Sequence, residues 1–129
     1  MNDSNSTVSC SVRGATLIAT ISIEELRDTE DIQQLKDDLL AAITLANPRN
    51  VIVDLNHVQF IGSVGFLVFL RLRREPGIGR IVLCNLNEHV RGAFLICRLI
   101  PDANHSSAPF EEAATTQDAL KRCGEHQSP

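Results

Sequence analysis

The sequence lacks most features that announce a chemistry. Its four cysteines (Cys10, Cys84, Cys97 and Cys123) are scattered with no C-x-x-C pair. That spacing fits neither a zinc site nor a compact disulfide framework, so no metal is expected. Cys84 and Cys97 lie in apolar surroundings and read as small buried hydrophobes. No apolar run approaches the ~18 residues of a membrane-crossing helix. Positive charge is not in excess either: 12 lysines and arginines face 16 aspartates and glutamates, and the net charge of −4 does not favour nucleic acid as a partner. The opening MNDSNSTVSC is polar and has no basic-then-apolar layout of a secretory signal, so a cytoplasmic protein is expected. Internal repeats and low-complexity tracts are absent.

The usual catalytic signatures are missing as well. Gly77-Ile78-Gly79 precedes a strand and lacks the third glycine of a dinucleotide fingerprint, so it reads as a turn. There is no phosphate-loop lysine and no H-E-x-x-H. Ser63 stands in GSVG, not in the G-x-S-x-G of a hydrolase elbow. A serine nucleophile also needs a histidine base and an orienting acid. Nothing singles out His57, His89, His105 or His126 for that part. The acidic pairs Glu24-Glu25, Asp37-Asp38 and Glu111-Glu112 read as solvated faces near helices or loops. A non-enzymatic chain is the expectation.

What is present is an ordered succession of patterns over 129 residues, a length suited to one domain. Apolar and polar residues alternate through Val8, Cys10 and Val12, then through Ala15, Leu17, Ala19 and Ile21, with Gly14 between, which predicts two strands and a tight turn. From Asp28 to Ala46 the period changes. Ile32, Leu35, Leu39, Ala42, Ile43 and Ala46 recur at three- and four-residue spacing, predicting an amphipathic helix with acids at its start and Pro48 beyond its end. The continuous runs VIVDL and IVLCNL read as strands buried on both faces. A helix is expected between them, another over NEHVRGAFLICRL with Val90, Phe94, Cys97 and Ile100 inward, and a short strand or turn plus a helix in APFEEAATTQDALKRC. The order β-β-α-β-α-β-α-(β)-α is that of an α/β fold, a mixed sheet with about four helices packed on it. Residues 1–7 and 123–129 are expected to be flexible.

Two features invite a function. Charge is divided: seven acids and two bases lie between Glu24 and Asp38, whereas Arg71, Arg73, Arg74 and Arg80 follow the second helical segment with only Glu75 opposing them. Such asymmetry can steer a protein partner, and it is equally the look of ordinary solvated faces. The second feature is the junction Phe60-Ile61-Gly62-Ser63-Val64-Gly65. Ser63 is a favoured N-cap residue, its glycine neighbours permit close approach, and a helix N-terminus tolerates an added phosphate. Asp54, ending the preceding strand, reads as a loop cap.

The run VIVDLNHVQFIGSVGFLVFLRLRR, with the flanking β-β-α and the closing FEEAATTQDAL, resembles the STAS domain, and within it the bacterial anti-sigma factor antagonists. The resemblance spans about residues 8–122. Its most specific part is the family's F-I-D-S-S-G loop, which here has Gly62 for the aspartate and Val64 for the second serine. The resemblance implies phosphorylation at Ser63 by an anti-sigma factor serine kinase, reversal by a phosphatase, and partner contact through Gly62, Ser63, Val64, Gly65 and Phe66. Arg71 and Arg74 join these as expected contacts, and no cofactor is implied. The substituted aspartate also leaves open a scaffold subunit without a phosphoswitch, as in a stressosome or a lipid-transport complex.

Overall fold

In a computed structural model, residues 7–104 and 106–125 are described. The chain runs β1 (Val8–Arg13), β2 (Thr16–Ile21), β3 (Glu25–Leu26), α1 (Thr29–Ala46), β4 (Asn50–Asp54), β5 (Phe60–Ile61), α2 (Ser63–Arg73), β6 (Arg80–Cys84), α3 (Glu88–Ile96), β7 (Glu111–Ala113) and α4 (Thr116–Arg122). Five strands form one sheet in the order β1-β2-β4-β6-β7. β1 is antiparallel to β2, and every other pairing is parallel. The expected mixed α/β fold with four helices is what the chain adopts.

The two faces of the sheet are covered unequally. Leu17, Ala19, Ile21, Val51, Val53, Ile81 and Leu83 share one core with α1, α2 and α3. Ile52, Val82, Cys84 and Ala113 face the other way and pack on Ala119 and Leu120 of α4. β4 and β6 are thus buried on both faces, which is why their sequences are continuous apolar runs rather than alternations. Phe69 and Phe94, both fully buried, meet edge to face with centroids 5.3 Å apart and tie α2 to α3.

Helix α1 starts where its sequence says it should. Asp28 caps it by accepting from Glu30 N–H, and Asn47 closes it in the left-handed region at φ 49°. Helix α3 departs from expectation. It ends at Ile96, Arg98 adopts φ 58°, and the Leu99 amide turns back to the Phe94 carbonyl. That reversal throws Cys97 outward, so it is exposed rather than buried, while Ile100 still reaches the core.

Most of the ends expected to be flexible lies outside the described residues. Of the rest, Thr7 is buried and gives its amide and hydroxyl to Asp38 of α1, at 3.2 and 2.8 Å. At the other end Glu125 accepts from the Ala15 amide and the Thr16 hydroxyl, at 3.1 and 3.0 Å.

Candidate functional site

The Ser63 junction is held by two strands too short for any periodic signal. β3 and β5 pair in parallel, Glu25 beside Phe60 and Leu26 beside Ile61. The Gly62 amide then continues the ladder to the Leu26 carbonyl at 2.9 Å. This keeps Gly62 extended at φ −95°, ψ 177°, so helical geometry begins one residue later. The N-cap of α2 is therefore Gly62, not Ser63, and no side chain caps the helix. Ser63 occupies the first helical position, exposed, and its hydroxyl has no hydrogen-bond partner among the described residues.

The two loop glycines differ in room. A Cβ placed on Gly62 would come no nearer than 3.6 Å to Arg27 Cβ or Phe60, an ordinary contact. At Gly65 it would lie 2.8 Å from Ile61 Cγ1 and 2.9 Å from the Leu26 carbonyl oxygen, where no side chain fits. Gly65 is thus required by close packing, and Gly62 is not.

Beyond Ser63 the exposed side of α2 is apolar. Val64, Leu67 and Leu70 are exposed at three-residue spacing, Leu67 by 61%. Such a stripe on a surface helix marks a contact face. It borders a groove of about 300 Å³ between α1 and α2, lined by Thr29, Ile32, Gln33, Lys36, Val64, Leu67 and Val68. A larger hollow of about 460 Å³ lies beside α4, but its lining includes the Arg91–Glu112 ion pair at 2.7 Å and little apolar surface.

The expected contact residues do not all share this surface. Gly65 is buried, and Phe66 turns inward against Phe94 with centroids 4.9 Å apart. Arg71 pairs with Glu75 at 2.9 Å, one turn on, and Arg74 is the exposed C-cap. Both stand at the far end of α2, about 12–16 Å from Ser63 at 1.5 Å per residue. Arg73 is taken up by the Ile78 carbonyl at 2.9 Å. Near the loop, Arg27 lies over the Phe60 ring at 5.5 Å and pairs with Glu25 at 2.6 Å, while His89 stacks on the same ring. Sequence reasoning missed Leu26, Arg27, Leu67 and Leu70. Only the leucines left a signal, an outward-facing apolar spacing in a helix already apolar inside.

Asp54 serves the loop after β4: its Oδ1 accepts from the Asn56 amide at 3.0 Å and from Asn85 Nδ2 at 2.9 Å. Nearby, burial pushes the Cys84 thiol up to about 11, partly offset by its contact with the Thr116 hydroxyl, and the Asp54 charge raises it further. That thiol is inert at neutral pH. No histidine is hydrogen-bonded to Ser63, and no group of three or more His, Cys, Asp or Glu could hold a metal, among the described residues. No helix among them is long and apolar enough to cross a membrane.

The STAS domain family model matches residues 10–108. The chain belongs to the STAS domain family. BtrV of Bordetella bronchiseptica, assigned as an anti-sigma factor antagonist, is 32% identical over 100 residues, 74% of this chain and 83% of that protein. Among solved structures, an anti-sigma factor antagonist from Mycobacterium paratuberculosis superposes with a TM-score of 0.71 at 20% identity, covering 92% of this chain and 94% of the other. The Bacillus cell fate determinant SpoIIAA in its phosphorylated form gives 0.61 at 22% identity, covering 90% and 98%. These likenesses agree on the fold, and the BtrV match makes this STAS domain antagonist-like.

Proposed function

We propose that this STAS domain binds an anti-sigma factor of the serine-kinase type through Ser63 and the exposed stripe of α2, and that phosphorylation of Ser63 switches the binding off. The observation that carries the reading is the placement of Ser63: an exposed hydroxyl, without a partner, at the head of an exposed apolar stripe. Apolar side chains at Val64, Leu67 and Leu70 supply the contact area, with Arg74 and Arg71 at its far end. A phosphoryl group on Ser63 adds about −1.5 to −2 charges at the edge of that surface. The helix N-terminus tolerates the charge within the fold, while a partner seated on Val64 has to desolvate it. A phosphatase restores the serine. A partner that uses ATP places the exchange in the cytoplasm, and no cofactor of this chain takes part.

The test is to mix the protein with ATP and the anti-sigma kinases of its own organism. Phosphate is expected on Ser63 by mass spectrometry and absent in Ser63→Ala, with Ser63→Asp binding at least tenfold more weakly. If no kinase binds or phosphorylates Ser63, or if Ser63→Asp binds as tightly as the parent, the switch is wrong. Gly62 favours one other reading, a scaffold subunit that binds through the same stripe without a phosphoswitch. It predicts binding to a larger assembly that Ser63→Asp leaves intact.

A further inference from the structure

Lys36 is the only cation of α1, set among four acids, Glu30, Asp31, Asp37 and Asp38. It has no ion pair or side-chain hydrogen bond among the described residues. The helix explains why. Its neighbours three and four positions away on either side are Ile32, Gln33, Leu39 and Leu40, none of them acidic. The acids that follow it in sequence are engaged elsewhere. Asp37 accepts from Gln33 Nε2 at 3.2 Å, and Asp38 accepts from Thr7 and from Gln34 Nε2 at 2.9 Å. Helix α2, the other wall of the groove that Lys36 lines, contains no acid at all.

The groove itself is mostly apolar. Thr29, Ile32, Gln33 and Lys36 recur at helical spacing along one face of α1, and Val64, Leu67 and Val68 do the same on α2. Of the apolar lining, Ile32 and Val68 are buried, whereas Val64 and Leu67 remain exposed. Lys36 is half-buried, as a lysine is when its stem covers apolar surface and its charge stays in water. The apolar surface continues past the groove along α2 to Leu70. A small molecule filling the groove would leave Leu70 uncovered, and a protein segment covers both.

We infer that the groove seats an apolar side chain of the protein partner, and that an acidic side chain of the same segment pairs with Lys36. The identity of that partner rests on the function proposed above, while the preference for an apolar residue beside a carboxylate belongs to this chain. The spacing follows from α1. Ile32 and Lys36 are one turn apart, about 6 Å along the axis. A helix laid along the groove presents a leucine and a glutamate four residues apart over the same distance, the helix-in-groove mode of recognition. Charge sets the register as well. Shifted along α1, the carboxylate meets Glu30, Asp31, Asp37 or Asp38, where like charge repels it. The segment that fits carries one acid beside its apolar anchor and neutral or basic residues around them.

The experiment uses the full chain and needs no kinase. A lactam-stapled helical peptide of about 15 residues carries a leucine and a glutamate four residues apart on an alanine and glutamine background. Its twin has lysine in place of the glutamate. Each is titrated into the isotope-labelled protein and followed by amide NMR. Shifts are expected at Ile32, Gln33, Lys36, Val64 and Leu67, with the glutamate peptide bound roughly threefold or more tightly than its twin. Lys36→Glu is expected to reverse that preference, and Lys36→Met, which keeps the stem without the charge, to erase it. Both variants are expected to unfold near the parent's midpoint. With the anti-sigma kinase, Lys36→Glu is expected to bind roughly threefold or more weakly than the parent. No shift at those amides at millimolar peptide, equal affinity for the two peptides, or a preference that survives Lys36→Glu overturns the proposal. Parent-like kinase binding by Lys36→Glu also overturns it and leaves the Ser63 switch standing. A parent chain that binds no kinase sinks the switch, and the peptide titration still decides the groove.

Discussion

Leu26 and Gly65 meet with no space for a methyl group between them: a Cβ on Gly65 would stand 2.9 Å from the Leu26 carbonyl oxygen. That oxygen cannot step aside, because it accepts the Gly62 amide that holds the Ser63 loop. Gly65→Ala is therefore expected to destabilise the fold. Overpacking costs about 1–3 kcal/mol, more than the ~1 kcal/mol alanine gains over glycine in a helix. A urea midpoint at or above the parent's would refute the close approach.

Gly62 behaves in the opposite way, since its site has room for a side chain and is the uncapped N-cap of α2. Gly62→Asp is expected to stabilise by a few tenths of a kcal/mol through the cap, with a similar gain from the helix dipole. Thermal unfolding should shift upward by roughly 1–4 °C. A lower midpoint would mean that the loop needs glycine's freedom after all.

Leu67 separates binding from folding. Its exposure means that Leu67→Lys should leave stability within about 0.5 kcal/mol of the parent. On the proposed interface it should weaken binding of the anti-sigma factor by tenfold or more, the effect of losing one apolar anchor. Titration calorimetry against that partner decides, and unchanged affinity would move the interface off α2.

Asp38 gives a pH-dependent contribution. Burial alone would raise its carboxyl, but hydrogen bonds from the Thr7 hydroxyl, Gln34 and the Thr7 amide outweigh burial and hold it below the ordinary value. A depressed carboxyl stabilises the fold above its unfolded value, about 3.9, and the contribution is lost as pH falls through the lower folded value. Thr7→Val should therefore be less stable than the parent at neutral pH, with the gap narrowing below about pH 4. A gap that stays constant down to pH 2 would assign the loss to packing alone.

Much of this architecture is legible in the sequence because burial writes strong patterns. The runs of β4 and β6 and the spacing of Ile32, Leu35, Leu39 and Ile43 each state which faces are covered. What was not legible lies where pattern and geometry separate. β3 and β5 have two residues each, too few for a period, yet they hold Gly62 extended and make it, rather than Ser63, the N-cap of α2. Cys97 continues the spacing of Val90 and Phe94, but the left-handed turn at Arg98 ends that helix first. In α2, Phe69 and Leu72 fill the core while Leu67 and Leu70 face out, and an apolar letter does not say which is which.

The hydrogen bonds of Glu125 have a consequence for the order of assembly on the ribosome. They join residues 110 and 109 positions apart, closing the first hairpin with a side chain made much later. At about 5–20 residues per second, the Thr16 hydroxyl waits roughly 5–20 s after its own synthesis for that acceptor. Within this domain the hairpin is made before every helix, yet its last hydrogen bonds wait for the residue that follows α4.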